Sequence, residues 1–191
     1  MSDQKGLLNA MRAALIALML MFGWQAGAEC GKLCDHDWWK TATTAGVQAK
    51  LAARTDLTAR NKNGYTPLHS AALSGSAAKI QVLLTAGAGM TARDKYGHTP
   101  LHLASYSGKP ANIQALPAAG AYIMAWGKLD KTPLHLAAEY GSSENIHLLM
   151  DAGADAKAKN KNGKIPWNLA QKNEQLKGTT AYWALNDAQY K

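Results

Sequence analysis

The sequence predicts an all-α solenoid of stacked helix pairs joined by β-turn hairpin loops. Three observations predict it. Thr66-Pro67-Leu68-His69 returns as Thr99-Pro100-Leu101-His102 and as Thr132-Pro133-Leu134-His135, each step 33 residues long. A degraded copy, Ile165-Pro166-Trp167-Asn168, falls on the same beat. Behind each of the three full motifs lie two apolar stripes at helical spacing. Self-similarity at this period marks a repeat array, in which each unit buries its apolar faces only against its neighbours.

Within a unit, the tetrapeptide opens the first helix. Proline suits the first helical position, where its missing N–H would have no intrahelical partner. The threonine hydroxyl caps the amides that follow. Gly64 and Gly97 stand two residues before the threonine, as the left-handed residue of a tight turn. The third unit has Asp130 there, which adopts that conformation less readily. Ala71, Ala72, Ala104, Ala137 and Ala138 are small enough for neighbouring units to pack closely. A glycine (Gly75, Gly108, Gly141) then precedes a second stripe: Ile80, Leu83 and Leu84; Ile113 and Leu116; Ile146, Leu149 and Met150. Steps of three and four put each stripe on one helix face. Gly87, Gly120 and Gly153 end these helices.

These units resemble ankyrin repeats, with their Thr-Pro-Leu-His start and an Ala-Gly-Ala finish at 86–88, 119–121 and 152–154. The resemblance covers roughly residues 37–191. It implies three full repeats, 61–93, 94–126 and 127–159, between an N-terminal segment with a cap repeat, 29–60, and a C-terminal cap, 160–191. It also implies a binding scaffold with neither catalysis nor cofactor.

Residues 1–28 read as a secretory signal peptide. Lys5 and Arg12 form the basic start, and Ala13 to Phe22 is an apolar run too short for a bilayer span of ~20 residues. Ala26-Gly27-Ala28 is a small-x-small cleavage site, placing the cut after Ala28. The mature chain is then periplasmic or secreted, with no membrane span. Cys30 and Cys34, the only cysteines, enter an oxidising compartment, where an even pair is most simply a disulfide. It would fasten the new N-terminus against the first helix. An alternative makes Cys30, Cys34 and His36, near Asp35 and Asp37, a metal or redox site.

Trp38 to Arg60 resembles an N-terminal cap repeat, with Ala42, Val47 and Leu51 in place of the two stripes. Trp38 and Trp39 either cover the end of the core or form an exposed binding patch. In the second unit Pro117 stands where its neighbours have Leu84 and Met150. A proline inside a helix removes a hydrogen bond, so this helix is expected to kink or end near Leu116. The loop Tyr122-Ile123-Met124-Ala125-Trp126 is apolar where a hairpin tip is usually polar. It is either an interface or a filler for the volume lost at Pro117. At the C-terminus, Gly178 breaks the chain and Thr179 caps a last helix bearing Tyr182, Trp183 and Leu185. This ending resembles the closing segment of exported bacterial ankyrin proteins, which implies a bacterial, periplasmic setting.

No metalloprotease, phosphate-loop, nucleophile-elbow or dinucleotide fingerprint occurs, so the reading is non-enzymatic, without cofactor or metal. His69, His102 and His135 belong to the repeat motif. The resemblance makes them backbone-bonding residues between adjacent turns, and one per unit cannot converge on a metal. His147 is expected to be solvated. The formal charge is +8, and removing residues 1–28 takes away Lys5, Arg12 and Asp3 and leaves +7. This balance favours an acidic partner. Export argues against nucleic acid, which leaves an acidic protein face or an anionic envelope polymer.

In the family the chain resembles, hairpin tips and the exposed side of the first helices form a concave binding surface. Stacking aligns equivalent positions into rows. Carried over, these positions give Tyr65 in the first unit; Arg93 (from the loop before it), Lys95, Tyr96, His98 and Tyr106 in the second; and Trp126 (likewise from the loop before), Lys128, Lys131 and Tyr140 in the third. Aromatic and arginine residues dominate interface energetics. The expected function is therefore a monomeric, periplasmic protein-binding module whose partner presents an acidic face.

Overall fold

The computed structural model describes residues 31–53, 55–107 and 109–190. The signal peptide, Cys30 and Gly108 lie outside the described residues. A 3-10 turn, Gly31–Cys34, leads into α1 (His36–Thr41) and α2 (Thr44–Ala52). Three helix pairs follow: α3 (Pro67–Ser74) with α4 (Ala77–Thr85), α5 (Pro100–Ser107) with α6 (Pro110–Ala118), and α7 (Pro133–Tyr140) with α8 (Ser143–Asp151). The chain closes with α9 (Pro166–Ala170) and α10 (Thr180–Ala188). The described residues contain no strand.

The helices form two layers. The first helices α1, α3, α5, α7 and α9 pack in one row, and the second helices α2, α4, α6, α8 and α10 in the other. The all-α solenoid expected from the period is therefore the observed fold. Leu68, Leu101 and Leu134 from the tetrapeptides, and Ile80, Ile113 and Ile146 from the second stripes, are buried in one continuous core. Ala71, Ala104 and Ala137 are fully buried where the first-helix row packs. Their small size lets the helices approach.

Each tetrapeptide threonine is the N-cap, with proline directly after it, at α3 and α7. The motif histidines link units. His69 Nδ1 accepts the Thr66 N–H (3.2 Å), and its Nε2 donates to the His98 carbonyl of the next unit (3.0 Å). His102 does the same with Thr99 and Lys131, and His135 with Thr132 and Lys164. An N–H donated to Nδ1 leaves the proton on Nε2, so geometry selects the neutral tautomer. Burial lowers the pKa of all three. The cap's Asn168 keeps only the near bond, from Ile165 N–H to Oδ1 (3.0 Å).

Three expectations are corrected. Helix α6 does not stop at Leu116 but runs to Ala118, the same nine residues as α4 and α8. Pro117 sits in its last turn, where its ring removes only the bond to Ile113. The turn beyond is held by Gly120 N–H to Pro117 O (2.8 Å) and Ala121 N–H to Leu116 O (3.0 Å). His147 is not merely solvated: its Nε2 lies 3.0 Å from Thr180 Oγ1, tying α8 to α10. Ala42 is not a helical stripe residue but the C-cap of α1.

One open alternative is decided. Trp39 is fully buried and donates its indole N–H to the Leu33 carbonyl (2.7 Å), so it closes the N-terminal end of the core. The loop at 122–126 is divided: Ile123 and Ala125 turn inward as filler, while Tyr122 and Trp126 stay exposed. At the other end, Trp167 packs edge-on against Tyr182, with ring centroids 4.4 Å apart.

Candidate functional site

Three of the four hairpins that precede a first helix are each built on one residue. Asn61, Asp94 and Asn160 each use Oδ1 to accept two N–H groups of their own hairpin. Gly64, Gly97 and Gly163 complete the turn in the left-handed region, with φ of 78, 75 and 71°. The third hairpin lacks both devices. It carries Gly127 and Asp130 at these positions, folds as a 3-10 turn over Lys128–Asp130, and places Leu129 and Asp130 at φ 59 and 55°.

Between these hairpins and the first helices lies a groove of about 490 Å³. Four tyrosines from three successive units line it: Tyr65, Tyr96, Tyr106 and Tyr140. His98, Lys128 and Lys131 stand among them, with Leu103, Leu129 and Leu136 as the apolar lining. A second cavity of about 350 Å³ shares Leu129, Lys131 and Tyr140 and runs on toward Asn162, Lys164 and Lys172. The two adjoin along this face through these shared residues.

The rings are preorganised. Tyr106 and Tyr140 meet edge to face at 5.2 Å. The Tyr96 ring has Lys95 Nζ 5.0 Å and Lys128 Nζ 4.9 Å from its centroid, within cation–π range. His98 Nδ1 lies 3.5 Å from the buried Asp94 Oδ2. Burial lowers the pKa of His98 and outweighs the raising effect of Asp94, so the ring is neutral near neutral pH. Burial, and then the Glu139 carboxylate beside it, raise the Tyr140 pKa, so its phenol stays protonated and donates to Glu139 (3.1 Å). The surface offers rigid aromatic bodies with polar tips beside positive charge.

Three residues of the sequence-derived set do not line this groove. Arg93 uses its guanidinium on the Gly97 carbonyl (2.8 Å) and the Trp126 carbonyl, stapling two hairpins together. Lys95 Nζ donates to Asn63 Oδ1 (2.9 Å). Trp126 is exposed at the base of the third hairpin. Leu103 and Leu136 were not in that set, because the residue after the Thr-Pro-Leu-His motif reads as core. Both are nearly buried yet form the groove floor.

Near the N-terminus, Asp35, His36 and Asp37 hold ligand atoms within 4.8 Å of one another, all exposed, and Cys34 is outside this group. Asp35 caps α1 through the Asp37 N–H, and Asp37 pairs with Lys40 (2.6 Å). Cys34 is buried, with Sγ 3.0 Å from the Tyr65 carbonyl oxygen. Its own carbonyl accepts from Asn61 and Ser70, which fastens the N-terminal turn onto the first hairpin and α3.

Among the described residues, no helix is long and apolar enough to cross a membrane. A family model described as ankyrin repeats (3 copies) matches residues 41–125 and, in a second alignment, 71–161. No curated protein matches the chain.

Proposed function

Because the chain belongs to the ankyrin repeat family, whose members are in general protein-interaction modules without catalysis, we propose that it binds a protein partner, as a monomer, through the tyrosine-lined groove. One observation carries this reading. Tyr65, Tyr96, Tyr106 and Tyr140 come from three different units and line a single groove. Tyr96, Tyr106 and Tyr140 are each about half exposed, at 43, 50 and 53%. Exposed, ordered tyrosines with lysines at hand supply contact area at low entropic cost, the composition of an interface hot spot. The test is a pull-down from envelope extract with the intact protein and with a variant carrying Tyr96, Tyr106 and Tyr140 all as Ala. A band kept by the first and lost by the second supports the groove. Equal recovery by both, or no partner, refutes it.

The setting belongs to the same proposal. The protein is exported, cleaved after Ala28 and closed by a Cys30–Cys34 disulfide, and its partner presents an acidic face. The basic start, the short apolar run and Ala26-Gly27-Ala28 support export. Sequencing of the protein from the cell envelope should begin at Glu29, and thiol titration after denaturation should find none reactive. A Met1 start in the cytoplasm, or two reactive thiols, rejects the respective claim.

A further inference from the structure

We propose that the groove takes an extended peptide segment in which an acidic residue stands beside a large apolar one, seated at the seam between the second and third hairpins. The inference rests on the groove reading above.

Neighbouring hairpins are otherwise tied tip to tip through their backbones. Lys95 N–H donates to the Asn63 carbonyl (3.1 Å), and Lys161 N–H to the Leu129 carbonyl (2.9 Å). Among the described residues, no corresponding bond joins Lys128 N–H to the Tyr96 carbonyl. The second and third hairpins are held at their base, by His102 on the Lys131 carbonyl and Arg93 on the Trp126 carbonyl, but their tips are unzipped. The larger cavity lies at this seam.

The cause is steric. His98 occupies the space that an Asx side chain of the next unit would fill: a Cβ on Gly127 would sit 2.5 Å from His98 Cδ2 and 3.0 Å from His102 Nε2. The third hairpin therefore forgoes its Asx acceptor and winds differently. Leu129 pays with a left-handed backbone (φ 59°, ψ 30°), a conformation side chains rarely adopt. Such an outlier points to function when the strained residue is placed at a site. Leu129 is 43% exposed and lines both cavities. The strain thus holds an apolar side chain in the open, beside a Lys128 amide and a Tyr96 carbonyl that, among the described residues, are not bonded to each other.

Charge selects the other half of the ligand. Lys131 is ion-paired with Glu139, Lys95 is bonded to Asn63, and Arg93 is used on carbonyls. Lys128 has no carboxylate partner among the described residues. Its ammonium lies over the Tyr96 ring at the seam, where a peptide's Asp or Glu would meet it while a neighbouring apolar side chain packs on Leu129, Leu103 and Leu136.

The test is selection from a display library of random linear peptides on the purified protein, followed by titration of the enriched sequences. The expected sequences carry Asp or Glu adjacent to Leu, Phe or Met. Their affinity should fall about tenfold in Lys128→Glu, the loss of one favourable charge pair and its replacement by repulsion. Leu129→Gly should weaken binding by a similar factor while keeping or raising the melting temperature, since glycine enters the left-handed region freely. That pairing separates lost contact from lost fold. Enriched peptides without acidic residues, affinity unchanged in both variants, or no enrichment would each overturn the proposal. Peptides that lose binding on Tyr106→Ala but ignore Lys128→Glu overturn it while leaving the groove reading intact. Equal recovery of a partner by the wild type and the triple tyrosine variant removes the groove reading itself.

Discussion

Acidification from about pH 7.5 to about pH 4.5 is expected to cost the folded chain about 2.5 kcal/mol through His102 alone. This imidazole is fully buried, and its pKa is lowered from 6.5 to about 4. Burial is the main cause. The Lys131 carbonyl and Asp94 oppose it, while His98 and Arg93 add to it. The fold uses the neutral ring, since Nδ1 must accept the Thr99 N–H (3.1 Å). Between the two pKa values the unfolded chain binds a proton that the folded chain does not. The stability is therefore fully present above about 6.5 and is lost as pH falls toward 4. At about 1.4 kcal/mol per unit the complete loss is about 3.4 kcal/mol, of which roughly three quarters has occurred by pH 4.5. His69 and His135 are lowered for the same reason and act in the same direction. The exposed Asp37 and Asp56 are lowered from 3.8, so their effect falls at still lower pH. The assay is urea unfolding followed by far-ultraviolet circular dichroism across this range, on wild type and on His102→Asn. Asparagine is the residue the C-terminal cap uses at this place, with the near bond kept and the far bond lost. The variant should be less stable at neutral pH but show a profile shallower by about 2.5 kcal/mol. Parallel profiles for the two proteins would refute the reasoning.

Two further sets of substitutions read out the packing. Asn112 and Asn145 are equivalent and both buried, but Asn112 donates to the Ala72 carbonyl (3.0 Å) while the Asn145 amide has no partner among the described residues. Replacing each with leucine, an apolar residue with the same branched skeleton, should cost about 1–3 kcal/mol at Asn112 and be neutral or stabilising at Asn145, measured as denaturation midpoints. Equal costs would contradict this. Gly127→Asn should destabilise by about 1–3 kcal/mol, because the new Cβ meets His98, and much of that should return when His98 is also changed to Lys, the residue at the equivalent place in the third and fourth units. A double-mutant cycle with no coupling would dismiss the steric account of the seam.

The helix starts were legible because their causes are local. Threonine and proline act within one turn, and the residues they need are adjacent in the chain. The C-terminal helix was legible for the same reason: Thr179 accepts the Tyr182 N–H (3.3 Å). Pro117 misled because a proline's cost depends on where the helix ends, and the end is set by packing and by the Gly120–Ala121 turn. The concave rows were visible as residues 33 apart, such as Tyr65, His98 and Lys131. Which members line the groove was not. Arg93 looks like a contact residue until its two carbonyl partners, one of them at the base of the next hairpin, are known. Leu103 and Leu136 look like core until the groove above them is seen.

By itself the sequence determined the period, the helix pairs, the capped ends and the family to which they point, since each is written in short-range patterns repeated in register. Only the tertiary structure decided where the stack is open. The larger cavity lies at the seam where a Cβ on Gly127 would meet the ring of His98 and where Leu129 takes its left-handed backbone. A side chain's steric demand on a residue 29 positions away is felt only once the units are stacked.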